Sequence, residues 1–301
     1  MVPFRLSKGC SWRRCTFCRT DLRYTNHFQQ PSFSFIYQQL KYTIDTTGLR
    51  NFLFSDESAN PELLEYISRQ LISDNIKITW FCHTRIDRAL TQERCKLFKE
   101  AGCKILALGI ESFNDRILGL MRKGITTQLI EDVLGEIGGS LPLIAYMIVG
   151  FPTETEEEAL AGYNTFKKYR DAGWLSLCHY NICMIIYGSD IYRNPAKYGI
   201  SRMYSLPGQD LVPDIYNYEG RGMPRKRAYQ LMLEFNERYE EIQAMNNVKK
   251  IHYLGEEIPL RLNFRKLKAQ IHDKWDSCYL PFSSWLEKWK DHTFNFEETN
   301  E

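Results

Sequence analysis

The sequence of 301 residues has little excess of either charge and no long hydrophobic run. Lysine and arginine together number 39 and acidic residues 37, a formal net charge of +2, so we expect no electrostatic attraction to a polyanion. No apolar stretch approaches the ~20 residues that a membrane-spanning helix needs. The composition therefore predicts a globular chain without a membrane segment, for which nucleic acid is not the expected partner.

Disulfides are also not expected, because the nine cysteines are an odd number and no apolar signal segment precedes them. A reducing, cytoplasmic environment fits this pattern better. Three of the cysteines, Cys10, Cys15 and Cys18, fall on one short segment. Three thiolates so close in sequence can hold three corners of a cubane iron-sulfur cluster and leave the fourth iron open to another ligand. An open iron indicates chemistry rather than a structural metal.

A structural zinc site is the alternative interpretation, since C-x-x-C pairs commonly hold zinc and His27 lies a short loop away. Structural zinc usually shows two separated ligand pairs, and the sequence has no second C-x-x-C and no H-x-x-x-H. On this alternative the chain is a zinc-stabilised, non-enzymatic binding module. The metal content separates the two, because a cubane holds about four irons.

Apolar runs of strand length alternate with amphipathic runs of helix length up to residue 186, a rhythm typical of βα units around a parallel sheet. Strands are predicted at residues 3–7, 51–55, 78–82, 105–110, 144–149 and 177–186. Helices are predicted at residues 33–46, 61–73, 91–101, 114–122, 126–137 and 155–172. Six such units predict an α/β fold, a partial (β/α)6 barrel of the TIM type, with its reactive loops at the carboxyl ends of the strands.

The alternation of predicted strands and helices stops after residue 186. Residues 187–222 are rich in glycine, proline and tyrosine and are predicted to be a loop, whereas residues 225–246 have a strongly helical pattern. We predict a barrel domain over residues 1–200 and a mainly helical C-terminal extension over residues 201–301, which supplies a lid over the substrate. Three tryptophans near the C-terminus are expected to pack against the barrel. They are Trp275, Trp285 and Trp289.

Four motifs at or near predicted strand ends resemble the radical S-adenosylmethionine (SAM) superfamily. They are the cysteine motif with an aromatic residue before its last cysteine, FSDE at residues 54–57, GIES at residues 109–112 and VGFPTE at residues 149–154. The resemblance covers roughly residues 3–200. It is closest to the core of cobalamin-associated radical SAM proteins, methylthiotransferases and oxygen-independent coproporphyrinogen oxidase.

The spacing of the first two cysteines departs from that pattern. Most members place three residues between them, whereas here residues 11–14 make four. The extra residue lengthens the loop by up to about 3.5 Å, which a flexible turn can absorb. We therefore expect the same three sulfurs to reach iron.

The resemblance implies two cofactors. Cys10, Cys15 and Cys18 would ligate a 4Fe-4S cluster, and the amino and carboxylate groups of SAM would chelate its fourth iron. It also implies that the reduced cluster cleaves SAM to methionine and a 5'-deoxyadenosyl radical. The expected partners are a small-molecule or peptide substrate and a reductant such as flavodoxin or ferredoxin.

SAM-binding residues follow from the resemblance at the strand ends. Glu111 and Ser112 would accept hydrogen bonds from the ribose or the SAM ammonium, and Asp56 and Glu57 would meet the amino group. Arg85 would contact SAM or substrate. From the residues alone, a solvated strand end remains open for Glu111, and helix capping remains open for Asp56 and Glu57.

The other implied SAM-binding residues are Phe17, Lys123, Ile148, Gly150 and Phe151. Lys123 would meet the SAM carboxylate, with Arg122 as the alternative cation. Phe17 would meet the adenine, and Ile148 would form an apolar wall of the site. Gly150 and Phe151 would bring backbone close to the adenine, because glycine has no side chain to block it. Packing of the loop onto the barrel remains an equal alternative for Phe17. No catalytic residue is assigned.

We predict that the radical modifies a peptide or natural-product substrate. One alternative is the catalytic part of a cobalamin-dependent radical SAM methyltransferase, with cobalamin supplied by another domain, because the first predicted strand begins near residue 3. Another is a methylthiotransferase acting on transfer RNA. That enzyme needs a further cluster domain and a basic RNA-binding domain, neither of which the sequence shows.

Overall fold

A computed structural model describes residues 2–19, 27–205, 215–245, 251–253 and 256–258. Its main sheet has six parallel strands in sequence order, each paired with its neighbour along the chain. The strands are β1 (Val2–Phe4), β2 (Asn51–Phe54), β3 (Thr79–Arg85), β4 (Cys103–Glu111), β5 (Leu143–Val149) and β6 (Leu177–Ile182). The helices between them are α1 (Phe33–Thr47), α2 (Pro61–Ser73), α3 (Gln92–Glu100), α4 (Asp115–Leu120), α5 (Thr127–Ile137) and α6 (Glu156–Asp171). The predicted α/β fold is confirmed.

Short-range signals place the helix ends. Asn60 accepts the backbone N–H of Glu62 ahead of α2, and Thr155 opens α6 with a capping box. α1 ends at Gly48, which adopts a φ of 70°. Because these signals are local, the predicted helix ends lie within a few residues of the observed ones.

The two faces of the main sheet differ in burial. In β5 every second residue, from Leu143 to Val149, is buried, while those between are half-buried. β3 shows the same alternation, with Trp80, Cys82 and Thr84 buried. The helices therefore cover one face. The other face, which we call the inner face, carries the half-buried residues.

A second, smaller sheet follows β6, with α7 (Asp190–Arg193) between its strands in sequence. Its antiparallel strands lie in the order β7-β9-β8. They are β7 (Ile185–Ile186), β8 (Ile200–Ser205) and β9 (Ile215–Gly220). The prediction of a loop over residues 187–222 is therefore wrong wherever these elements lie. The predicted strand over residues 177–186 is divided between β6 and β7.

α8 (Arg225–Met245) confirms the helical pattern predicted there. The strands β10 (Ile251–Tyr253) and β11 (Glu256–Ile258) pair with each other in antiparallel orientation. The three C-terminal tryptophans lie outside the described residues, and the domain boundary at residue 200 stays a prediction. No helix in the described part of the chain is both long and apolar enough to span a bilayer.

Candidate active site

The cysteine loop, residues 10–18, follows β1 and is held against the turn after α4. The hydroxyl of Thr16 donates to the carbonyl oxygen of Leu120 at 3.0 Å. The indole N–H of Trp12 donates to the carbonyl oxygen of Arg122 at 2.8 Å. These two hydrogen bonds hold the loop on both sides of Cys15.

Trp12 also explains a glycine in that turn. Gly124 has a φ of 73°, and a Cβ added there would lie 2.0 Å from a ring carbon of Trp12. The guanidinium carbon of Arg85 lies 4.9 Å from the centroid of the same ring. Glycine at position 124 therefore lets the indole pack between the turn and a cation.

The three cysteines of the loop are free and half-buried. A hydrogen bond from the Cys18 thiol lowers the pKa of Cys15 to about 7, with the cations Lys123 and Arg85 acting in the same direction and burial opposing them. The pKa of Cys18 is raised, because it donates that hydrogen bond and is buried. The surroundings therefore favour the thiolate that metal ligation requires at Cys15.

These donors fit a cubane better than a single ion. Within the described residues, no group of three cysteine, histidine or acidic side chains is placed to hold one metal ion. In a cubane each thiolate binds a different iron, so the three sulfurs need not meet at one point. Three free thiols on one loop beside cationic side chains match that requirement.

An ion pair occupies the carboxyl end of β4. The Lys123 ammonium lies 2.8 Å from a carboxylate oxygen of Glu111, and their side chains are only 6% and 14% exposed. Glu111 has a φ of 73°, unusual for a residue with a side chain, and the β4–β5 register shifts between Gly109 and Glu111. A Cβ at Gly109 would lie 3.1 Å from that carboxylate and 3.2 Å from the ammonium. The irregular strand end and the glycine together make room for the pair.

Arg85 joins this pair to the cysteine loop. One of its guanidinium nitrogens donates to the carbonyl oxygen of Lys123, and another lies 3.9 Å from the Cys15 sulfur. The structure thus brings Arg85, Glu111, Lys123 and Cys15 together, from segments far apart in sequence. Strained backbone and partly buried charges at one place are typical of functional sites.

Asp56 is buried and holds the segment that leads into the cysteine loop. Its carboxylate accepts the backbone N–H of Leu6 at 3.0 Å and both the N–H and the hydroxyl of Ser7 at 2.5 Å. Burial raises the pKa of Asp56 despite these hydrogen bonds. Glu57 beside it is exposed, and Ser112 is buried and accepts a backbone N–H of the loop before α4. Binding of SAM by all three stays a prediction.

The apolar residues assigned to the adenine belong to one cluster. Phe151 is fully buried in a group that includes Ile185 and Tyr218, and Phe17 and Ile148 pack against that group. Phe17 therefore packs the loop against the smaller sheet. Its contact with adenine, and those of Ile148 and Phe151, stay predictions.

Gly150 is a glycine for a reason that the sequence did not reveal. It has a φ of 70°, and a Cβ there would lie 2.7 Å from the Cβ of Ala228 and 3.0 Å from a guanidinium nitrogen of Arg225. Its carbonyl oxygen accepts hydrogen bonds from Arg225, at 3.0 Å, and from the Tyr218 hydroxyl. The space that glycine leaves free is thus filled by α8. Backbone contact with adenine stays a prediction.

Glu154 received no role from the sequence, although it ends the VGFPTE motif. It is 4% exposed, and one carboxylate oxygen accepts the N–H of Gly150 at 2.6 Å and that of Phe151 at 3.3 Å. Burial raises the pKa of Glu154 to about 7, against the effect of those hydrogen bonds. Glu154 therefore shapes the turn after β5.

A cleft of about 770 Å³ opens beside the cysteine loop. Cys15 and Cys18 line it together with Trp12, Arg122 and Gly188. It lies between the loop, the turn after α4 and the segment that leads into α7. Two of the three loop cysteines are thus accessible from the surface.

Comparison with known proteins agrees with this geometry. A model of the radical SAM superfamily matches residues 4–166. An uncharacterized methyltransferase of Pyrococcus horikoshii is 30% identical over 173 residues, which cover 56% of this chain and 37% of that protein. Bacteriochlorophyllide d C-12(1)-methyltransferase of Chlorobaculum tepidum is 24% identical over 174 residues, 56% of this chain and 38% of that protein.

Solved structures show the same fold. The radical SAM methyltransferase TsrM of Kitasatospora setae, with cobalamin and a 4Fe-4S cluster bound, has a TM-score of 0.60 and 13% identity. The match covers 78% of this chain and 52% of TsrM. The chain thus spans about half the length of TsrM and less than two fifths of the two curated relatives.

Proposed function

This chain belongs to the radical SAM superfamily, and from that premise we propose that it binds a 4Fe-4S cluster through Cys10, Cys15 and Cys18 and cleaves SAM to modify a peptide or natural-product substrate. The family uses a 4Fe-4S cluster and SAM, and its members are enzymes. The alternative of a non-enzymatic zinc module is therefore wrong. The observation that supports the proposed site is the convergence of the cysteine loop with Arg85 and the Glu111–Lys123 pair.

When bound by Cys10, Cys15 and Cys18, a 4Fe-4S cluster would supply the electron for reductive cleavage of SAM. The protein's own residues would hold SAM in place. The amino-acid end of SAM carries an amino group, whose N–H groups can donate to Glu111, and a carboxylate, which can accept from Lys123. Both side chains are nearly buried, so these hydrogen bonds would be made while Glu111 and Lys123 stay paired with each other.

The apolar cluster around Phe151 would exclude water from the neighbouring side. Arg85 would orient the site, because it contacts both Cys15 and the backbone of Lys123. A reductant, a flavodoxin or ferredoxin in our proposal, would deliver electrons near the cleft where two loop cysteines are accessible.

Methyl transfer with cobalamin is the second candidate function. Two curated relatives are named methyltransferases, and TsrM holds cobalamin. The present chain spans only part of each of these proteins. We propose that, if this candidate is correct, cobalamin is contributed by another domain or chain.

Anaerobic reconstitution tests the proposed site. We expect the wild-type protein to hold about four irons, to change its electron paramagnetic resonance spectrum when SAM is added, and to release 5'-deoxyadenosine under reducing conditions. Single Cys10→Ala, Cys15→Ala and Cys18→Ala variants should lose the cluster and the product. Cys95→Ala, which removes a buried thiol on α3, is the matched control and should keep both.

Two results would contradict the proposal. One is a wild-type protein that holds iron but whose spectrum is unchanged by SAM. The other is retention of iron and of SAM cleavage in all three loop variants.

A further inference from the structure

Three ring side chains form a continuous row across the inner face of the main sheet. His83 lies on β3, Tyr146 on β5 and His179 on β6. The ring centroids of His83 and Tyr146 are 5.2 Å apart with an interplanar angle of 77°, and those of Tyr146 and His179 are 5.7 Å apart at 81°. His83 Nε2 and the Tyr146 hydroxyl are 3.3 Å apart. Edge-to-face pairs at these distances are favourable, so each ring stabilises the position of its neighbour.

The row crosses β4 because that strand has small residues at the crossing point. Ala107 is the register partner of His83, and Gly109 is the register partner of Tyr146. Neighbouring strands lie about 4.8 Å apart, so β3 and β5 are separated by roughly twice that distance. Larger side chains on β4 would stand between the two rings. The small residues therefore leave a shallow surface of ring edges.

This surface lies next to the candidate active site. His83 precedes Arg85 by two residues on β3, which places both side chains on the same face about 7 Å apart along the strand. Arg85 pairs in register with Gly109, beside the Glu111–Lys123 ion pair. A molecule resting on the row would therefore face the groups that we assign to SAM.

The row carries no charge at neutral pH. Partial burial on the sheet face lowers the pKa of His83 and of His179, and it raises the pKa of Tyr146. All three therefore present neutral rings, with imidazole nitrogens and one hydroxyl as the polar atoms. A ligand with a net charge would find no counter-charge among them, whereas an uncharged flat ring would meet ring edges and neutral hydrogen-bonding groups.

We propose that His83, Tyr146 and His179 form a substrate subsite that binds a flat, uncharged aromatic ring. This inference rests on the proposed function and specifies the chemical class of its substrate. The subsite holds the ring beside the position of SAM. None of the three residues has another role in the proposed site.

Binding of a matched pair of probes tests the subsite. The probes are 2-naphthol and decahydro-2-naphthol, which share a bicyclic frame and one hydroxyl but differ in planarity and aromaticity. We expect the protein to bind 2-naphthol about tenfold more tightly, measured by saturation-transfer NMR titration, because only the aromatic probe gains the ring contacts. His83→Ala, Tyr146→Ala and His179→Ala should each weaken 2-naphthol binding several-fold.

The control is Tyr42→Ala, which removes an aromatic ring that is 66% exposed on α1, away from the sheet. It should leave both affinities unchanged. Tyr146→Phe keeps the ring and should keep most of the binding. His179 is the most exposed of the three side chains, so its variant should fold normally even where a change at His83 or Tyr146 disturbs the sheet.

The inference is overturned by a protein that does not bind 2-naphthol, by equal affinity for the two probes, or by unchanged binding in the His179→Ala and Tyr146→Ala variants. The readout requires no SAM cleavage. A protein that binds 2-naphthol as expected but forms no 5'-deoxyadenosine would contradict the proposed function alone.

Discussion

Replacing Glu154 by glutamine should make the protein more stable at pH 8 than the wild type. Glu154 is 4% exposed, and burial raises its pKa from an ordinary value of 4.5 to about 7. The folded protein therefore binds this proton more tightly than the unfolded chain does. The stability associated with the protonated form is fully present below pH 4.5 and is lost as the pH rises through 7.

The size of the effect follows from the shift. From 4.5 to about 7 is a difference of about 2.5 units, and each unit corresponds to about 1.36 kcal/mol. Ionisation of Glu154 thus costs the folded wild type up to about 3 kcal/mol at pH 8. Glutamine keeps an oxygen that can accept the N–H groups of Gly150 and Phe151, and it carries no charge. The Glu154→Gln substitution should therefore raise the free energy of unfolding by most of that amount at pH 8 and by little at pH 5.

Urea unfolding at pH 5 and at pH 8, followed by circular dichroism, measures this difference. Glu158→Gln is the matched control, because the Arg116 guanidinium holds the pKa of Glu158 below its ordinary value. That variant should lose stability at both pH values. A Glu154→Gln protein that is less stable than the wild type by the same amount at pH 5 and pH 8 would refute the reasoning.

Two further predictions concern the cysteine loop and the ion pair. Gly124→Ala places a methyl group 2.0 Å from the Trp12 ring, so we expect the loop to shift and the iron content after reconstitution to fall by at least half. Adding Trp12→Ala to that variant should restore part of the iron. An undiminished iron content in Gly124→Ala would contradict the packing. Lys123→Met leaves the nearly buried Glu111 carboxylate without its partner, which should lower the free energy of unfolding in urea by about 3 kcal/mol and weaken SAM binding at least tenfold in equilibrium dialysis. Lys123→Arg should keep most of the stability and of the SAM affinity. A methionine variant that binds SAM as tightly as the wild type would contradict the assignment.

The sequence predicted the elements whose signals are local. Asn60 and Thr155 cap helices through their own side chains, and Gly48 ends α1 through its own backbone conformation. Such signals act over a few residues, so they can be recognised without knowledge of the fold. The alternating burial of β3 and β5 likewise follows from the pleat of a single strand.

The smaller sheet was not predicted because its stability depends on contacts between distant segments. Tyr198 and Tyr218 are buried in one apolar cluster, although glycine, proline and tyrosine in residues 187–222 suggested a loop. A Cβ at Gly220 would lie 2.4 Å from the carbonyl oxygen of Gly199, so these glycines permit close approach of β9 to the start of β8. Composition alone does not distinguish a glycine in a loop from one in a tight backbone contact.

The candidate site shows the same limit at the level of single residues. The resemblance assigned Glu111 and Lys123 to different groups of SAM, whereas the structure shows that they also pair with each other across a strand irregularity. Asp56 was assigned to SAM as well, and its carboxylate contacts the backbone of Leu6 and Ser7, some fifty residues earlier in the sequence. Partners so distant are not visible in a short motif.

Gly150 and Glu154 show why a motif can be correct while its explanation is incomplete. Glycine at position 150 was attributed to close approach of a ligand, which stays a prediction, and the structure shows that α8 also approaches closely through Ala228 and Arg225. Glu154 then holds the N–H of the same glycine from within the turn. The turn after β5 is therefore fixed on one side by a buried carboxylate and on the other by α8. A change at Glu154 should consequently affect the contact between the barrel and α8 as well as the apolar wall around Phe151.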